Sequence, residues 1–241
     1  MVQQQLPTLI YPDSDGQPMA DNTKQFRWIV VIKENLELLF ATNPDVFIAG
    51  DLLWYPVEGN NKLRQAPDVM VVFGRAKGDR GSYRQWEEEN IPPQVVFEIL
   101  SPGNRLKAMA HKFKFYENYG VEEYYVYDPD HIELIGWLRS QQGLEVIEEM
   151  NGWVSPRLKI KFQVTSENLE IFSPQGKRFL TYVELGQLLE EERQRADEER
   201  QRADEERQRA DAALTQLEQE RQRYQALETL LREQGINPEQ L

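Results

Sequence analysis

Cysteine is absent from all 241 residues. That excludes disulfides and thiolate metal sites, and a cytoplasmic location is expected. Histidine is scarce: His111 and His131 are the only two, too few for a structural zinc site. Any metal must then be held by carboxylate oxygens, a chemistry that suits Mg²⁺ or Mn²⁺. No apolar run approaches the roughly 18–20 residues needed to span a bilayer, so no membrane association is expected. The opening "MVQQQLPTLIYPDSDGQP" has no basic region followed by an apolar one, and no secretory signal is expected.

Positive charge is also in short supply. There are 28 Lys and Arg against 41 Asp and Glu, a formal net charge of −13. Such a balance disfavours broad electrostatic binding to nucleic acid. The deficit is uneven, however. Residues 190–241 hold 15 acids and 9 bases, a net of −6, which leaves −7 on the first 189 residues. Bases do cluster there, at Lys62, Arg64, Arg75, Lys77, Arg80 and Arg84, then at Arg105, Lys107, Lys112 and Lys114. A local basic rim around a site is compatible with the acidic whole.

The chain reads as four parts. Residues 1–21, rich in Gln, Pro and Asp, form an irregular arm. A domain over 22–179 opens with a helix, "NTKQFRWIVVIKENLELLFAT", capped by Asn22 or Thr23 and carrying Phe26, Ile29, Ile32, Leu36, Leu39 and Phe40 on one side. "VFIAGDLLWYP", "PDVMVVF" and "QVVFEIL" read as strands. "SPGNR" breaks the chain before a helix over 105–119 that ends at Gly120, and "VEEYYVYDP" is the next strand. Strand, strand, helix, strand implies an α/β (α+β) mixed sheet flanked by helices. Alternating segments after it suggest a small β-meander. Residues 180–235 then form a long charged helix, with Ala196, Ala203 and Ala210 recurring every seventh residue inside "RQRADEE" repeats. Leu189, Leu217, Tyr224 and Leu231 hold the same register, so a coiled coil and a homodimer or higher oligomer are expected, with a solvated single helix as the competing reading. Residues 236–241 are a tail.

Three residues break the apolar periods. Asp68 opens the strand "PDVMVVF", where a Pro-Asp step is either punctuation or a metal ligand. Glu98 interrupts "VVFEIL", where a charge is costly unless paired or metal-bound, although an edge position would also explain it. Lys112 falls on the aromatic arc of its helix with Ala108, Met109, Phe115, Tyr116 and Tyr119, apart from the polar face of Lys107, His111, Lys114 and Asn118. A snorkelling ammonium is the ordinary explanation for such a lysine.

"PDVMVV", "PPQVVFEILSPGNR" and "KFKFYENYGVEEYYVYDP" resemble the Uma-type family of restriction endonuclease-like proteins, over roughly residues 20–175. That resemblance implies the fold of the PD-(D/E)xK nucleases, with Asp68 and Glu98 as ligands of a catalytic Mg²⁺ and a lysine stabilising the attacking water. The superfamily's usual lysine position, two after Glu98, is Leu100 here, and Lys112 matches the place to which this family has moved it. An additional acid is found in many such nucleases, for which Glu37 and Asp51 are candidates. Arg64, Arg75, Lys77, Arg80 and Arg84 are candidates for contacting phosphate. The implied function is an Mg²⁺-dependent endonuclease acting on DNA. The alternative is a non-catalytic nuclease-fold module for binding or assembly, oligomerised by its C-terminal helix. Fold resemblance does not by itself decide between them.

Overall fold

In a computed structural model the described residues are 9–14, 16, 20–103, 105–233 and 235. The expected tail, 236–241, and residues 1–8 of the expected arm lie outside them. The chain divides into two compact units, Met1–Tyr182 and Val183–Leu241.

The first unit is built on a six-stranded mixed sheet ordered β1-β3-β5-β6-β7-β8. Its strands are β1 (Val46–Gly50), β3 (Val69–Phe73), β5 (Val95–Ile99), β6 (Glu123–Asp128), β7 (Glu133–Ser140) and β8 (Gly143–Val146). Pairing is antiparallel throughout except between β5 and β6. The link between that parallel pair is helix α2 (Leu106–Asn118), the crossover that a parallel pair requires. Gly120, at φ 91, turns the chain out of α2 towards β6, a conformation glycine adopts without strain.

Strand alternation splits the core into two layers. On one face Val69, Val71, Phe97, Ile99, Tyr125 and Tyr127 pack with Ile29, Ile32 and Leu36 of helix α1 (Thr23–Leu39). On the other, Met70, Val72, Val96, Tyr124 and Val126 pack with Phe115 and Tyr116 of α2. Asn22 caps α1 as the sequence predicts, its side chain accepting from the Gln25 N–H at 2.8 Å. Phe26 does not join the apolar face as expected and is 46% exposed. Gln25 is buried instead, and its Nε2 donates to the Ile99 carbonyl at 2.9 Å.

Two other expectations are revised. The segment "VFIAGDLLWYP" is not one strand: Asp51, at φ 49, ends β1, and β2 (Trp54–Tyr55) pairs separately with β4 (Tyr83–Arg84). The meander also divides, because β7 and β8 extend the main sheet while β9 (Lys161–Val164) and β10 (Leu169–Phe172) form their own hairpin. In the described part of the arm, Tyr11 packs on Tyr55 and Trp86, with ring centroids 5.2 and 4.9 Å away. Helix α3 (Tyr182–Glu233) runs for 52 residues with none buried. No described helix is long and apolar enough to cross a membrane.

Candidate active site

Strand register brings the two expected carboxylates together. β3 and β5 pair as Val69↔Phe97, Met70↔Val96 and Val71↔Val95, and one further step sets Asp68 opposite Glu98. Both side chains share the face with Met70 and Val96 that packs against α2. Asp68 is held by the strand beside it: its Oδ2 accepts from the Ile99 N–H at 2.6 Å. Gln25 grips the carbonyl of the same residue, so Ile99 is anchored on both sides.

Helix α2 supplies the cation. Lys112 Nζ lies 2.6 Å from Glu98 Oε2, with the carboxylate 3% exposed and the lysine 23%. Four residues on, one helical turn along the same face, the Tyr116 hydroxyl donates to Glu98 Oε1 at 2.5 Å. Glu98 therefore has a donor on each oxygen. The Tyr124 hydroxyl is buried in the same layer and has no hydrogen-bond partner among the described residues.

The electrostatics of the set are unbalanced. Burial, and then the charge of Glu98, push the Asp68 carboxyl up to about 8, against the opposing pull of Lys112 and the Ile99 N–H. Burial alone would lower Lys112, but Glu98 and Asp68 outweigh it and raise its pKa. Asp51 acts on both in the same sense, raising Asp68 and Lys112. Two acids facing one lysine leave an excess of negative charge in a dry place, which is what drives Asp68 towards its neutral form.

A divalent cation fits that excess. The donors are hard carboxylate oxygens on neighbouring strands, a set that suits Mg²⁺ held by one or two carboxylates with water and phosphate completing the shell. Among the described residues no group of three or more His, Asp and Glu side chains could hold a metal by itself.

The remaining expected residues lie elsewhere or are engaged. Glu37 pairs with Lys77 at 2.8 Å and lines a cleft with Lys33, Phe47 and Arg80. Arg75 and Arg80 grip opposite oxygens of Glu88, at 2.9 and 2.7 Å, and Arg80 also stacks 3.9 Å over the Phe47 ring. Arg84 pairs with Glu87 at 3.4 Å, and Arg64 donates to the Tyr55 hydroxyl at 3.2 Å. At the start of α2, by contrast, Arg105 and Lys107 are exposed and have no ion-pair partner among the described residues. Sequence reading missed Tyr116 as a site residue, although its i+4 spacing from Lys112 was visible.

Two carboxylates thus lie opposed across adjacent strands of a mixed sheet, with a lysine and a tyrosine from the crossover helix bonded to one of them. A family model described as "Putative restriction endonuclease", Uma2, matches residues 17–166. The chain belongs to the Uma2 family. Among solved structures it is similar to a protein from Anabaena variabilis described as a putative nuclease of DUF820, with 17% identity and a TM-score of 0.42, covering 56% of this chain and 72% of that one. The comparison with curated proteins found no match.

Proposed function

We propose that this chain is a metal-dependent endonuclease that hydrolyses phosphodiester bonds in DNA. The observation that carries the reading is the Asp68–Glu98 pair, whose surplus charge is matched by one divalent cation and whose lysine is already in place. Membership of a family described as restriction endonucleases supports it. Bound between these carboxylates, Mg²⁺ or Mn²⁺ would supply a water activated near neutral pH and neutralise charge on the transferring phosphate.

The protein's own groups do the rest. The Ile99 N–H holds the Asp68 carboxylate, and the Gln25 amide holds the Ile99 carbonyl. The Tyr116 hydroxyl orients Glu98. Lys112, kept protonated by the two acids, adds positive charge where the phosphate becomes more negative and can orient the water. Hydrolysis would form a P–O bond to water as the P–O bond to the sugar breaks, the attacking water giving up a proton to solvent and the departing sugar oxygen taking one. Asp51 is close enough to perturb the set electrostatically and is the better placed of the two additional acids. Of the cations, Arg105 and Lys107 lead into the helix that carries Lys112. They can meet phosphate without breaking an ion pair, which Arg75, Lys77, Arg80 and Arg84 cannot.

The test is cleavage of supercoiled plasmid and single-stranded DNA with Mg²⁺ or Mn²⁺, comparing wild type with Asp68→Ala and Lys112→Ala. Metal-dependent cleavage by wild type, lost in both variants, is expected. Cleavage of equal rate in the variants, or none by wild type with either ion, overturns the proposal.

A further inference from the structure

The nuclease reading makes no use of helix α3. At ~1.5 Å per residue its 52 residues extend about 78 Å, and two stretches of it behave differently. In the repeats, Ala196, Ala203 and Ala210 give one apolar position per heptad. If these alanines occupy the first seam position, Glu199 and Glu206 fall in the second, with Arg200, Arg202, Arg207 and Arg209 on the flanks. If they occupy the second, Arg200 and Arg207 enter the seam and acids hold both flanks. In either register two copies would meet with like charges across the flanks and an ionic residue in every heptad of the seam. Within one helix the same residues are complementary: Glu191–Arg195, Glu198–Arg202 and Glu205–Arg209 pair at 3.7, 3.8 and 3.7 Å, acid before base at i,i+4, the favourable orientation.

After Ala210 the pattern changes. Leu217, Tyr224 and Leu231 continue the heptad, Ala213 and Leu227 fill the second seam position, and Leu214 lies alongside. Leu217 and Tyr224 are 63% and 71% exposed, so this stripe is uncovered in the single chain. In a parallel pair Arg223 would face Glu228 of the second copy and Gln216 would face Arg221. The one charged seam residue, Glu220, would have Arg221 of the second copy beside it. No like-charge flank pair arises.

We propose that residues 213–231 of α3 form a parallel two-stranded coiled coil with a second copy of this chain, while the repeats over 190–212 remain an unpaired helical spacer. The association stands on α3 alone. Its use rests on the nuclease reading: each chain carries one Asp68–Glu98–Lys112 set, and cutting both strands of a duplex in one encounter would use two.

The lack of native cysteine makes single engineered thiols clean reporters. The full-length chain is taken through sedimentation equilibrium over a concentration series, as wild type and as Leu217→Asp/Leu227→Asp. Leu231→Cys and Ala203→Cys are oxidised in parallel. Expected are a monomer–dimer equilibrium for wild type, a monomer for the double variant with unchanged thermal unfolding of the first unit, and at least tenfold more covalent dimer from Leu231→Cys than from Ala203→Cys. A wild type that is monomeric throughout overturns the proposal. So does equal cross-linking from Ala203→Cys, which would mean that the repeats pair, or a dimer that Leu231→Cys does not link, which would mean an antiparallel arrangement. None of these readouts depends on DNA cleavage, so failure of the nuclease reading leaves them intact.

Discussion

Buried carboxylates lie beside opposite ends of β5, and they are treated in opposite ways. Glu123 opens β6 with no exposed surface. Its Oε2 accepts from Ser155 Oγ at 2.5 Å and from the Tyr125 hydroxyl at 2.9 Å, and its Oε1 accepts from the Arg157 N–H at 2.6 Å. Burial raises its pKa, but those three donors oppose the rise. Glu123 is a pin that ties the turn over 155–158 to the sheet. Beside the other end of β5 and on the other face, Asp68, just ahead of β3, has a single backbone donor and a second carboxylate for a neighbour. Burial of charge does not by itself point to a site; charge left unmet by the fold is the stronger pointer.

That contrast can be broken by mutation. The largest effect is expected at Asp68→Ala, with cleavage at background and the fold retained, because removing one of two facing acids relieves repulsion. Lys112→Ala should follow, lowering kcat about 10²–10³-fold, as for loss of a charge-stabilising donor. Glu123→Gln should do the reverse: unchanged cleavage per folded molecule, and a loss of about 1–3 kcal/mol in urea unfolding as its donors lose an ionic partner. Equal loss of cleavage in Glu123→Gln and Lys112→Ala would erase the distinction.

Acidity sharpens it further. The folded-state pKa of Asp68, about 8, lies above its ordinary 3.8, so folding favours the protonated form. Without metal, this group's contribution to stability is full at low pH and is lost as pH rises from roughly 4 towards 8. Unfolding midpoints across that range should show the decline, Asp68→Asn should flatten it, and Mn²⁺ should counter it by binding the ionised form. The smallest change is expected from Tyr116→Phe, about 1 kcal/mol of stability with a several-fold fall in kcat, read by the same unfolding and cleavage assays.

Much of the proposed site was legible because each of its charged members violates a period. Asp68 and Glu98 stand in strand patterns that are otherwise apolar, and Lys112 stands on the wrong arc of its helix. Tyr116 escaped notice because a tyrosine in an aromatic stripe is ordinary core, and only the register of β5 against α2 reveals its bond to Glu98. The pairing of Glu37 with Lys77, and of Arg75 and Arg80 with Glu88, is equally invisible. Periodicity reports which face a residue occupies and says nothing of its long-range partner. The split of "VFIAGDLLWYP" depended on one backbone angle, at Asp51, and aspartate tolerates both conformations.

The crossover between β5 and β6 has a kinetic consequence. Lys112 and Tyr116 reach Glu98 across only 14 and 18 residues, whereas Asp68 meets Ile99 across 31. Short closures cost the least chain entropy, and local contacts speed folding. The contacts of Lys112 and Tyr116 with Glu98 close shorter loops than the Asp68–Ile99 bond and are expected to form before it during folding. Substitutions that weaken α2 are expected to slow folding of the whole sheet, while those confined to β1 act mainly on its rate of unfolding.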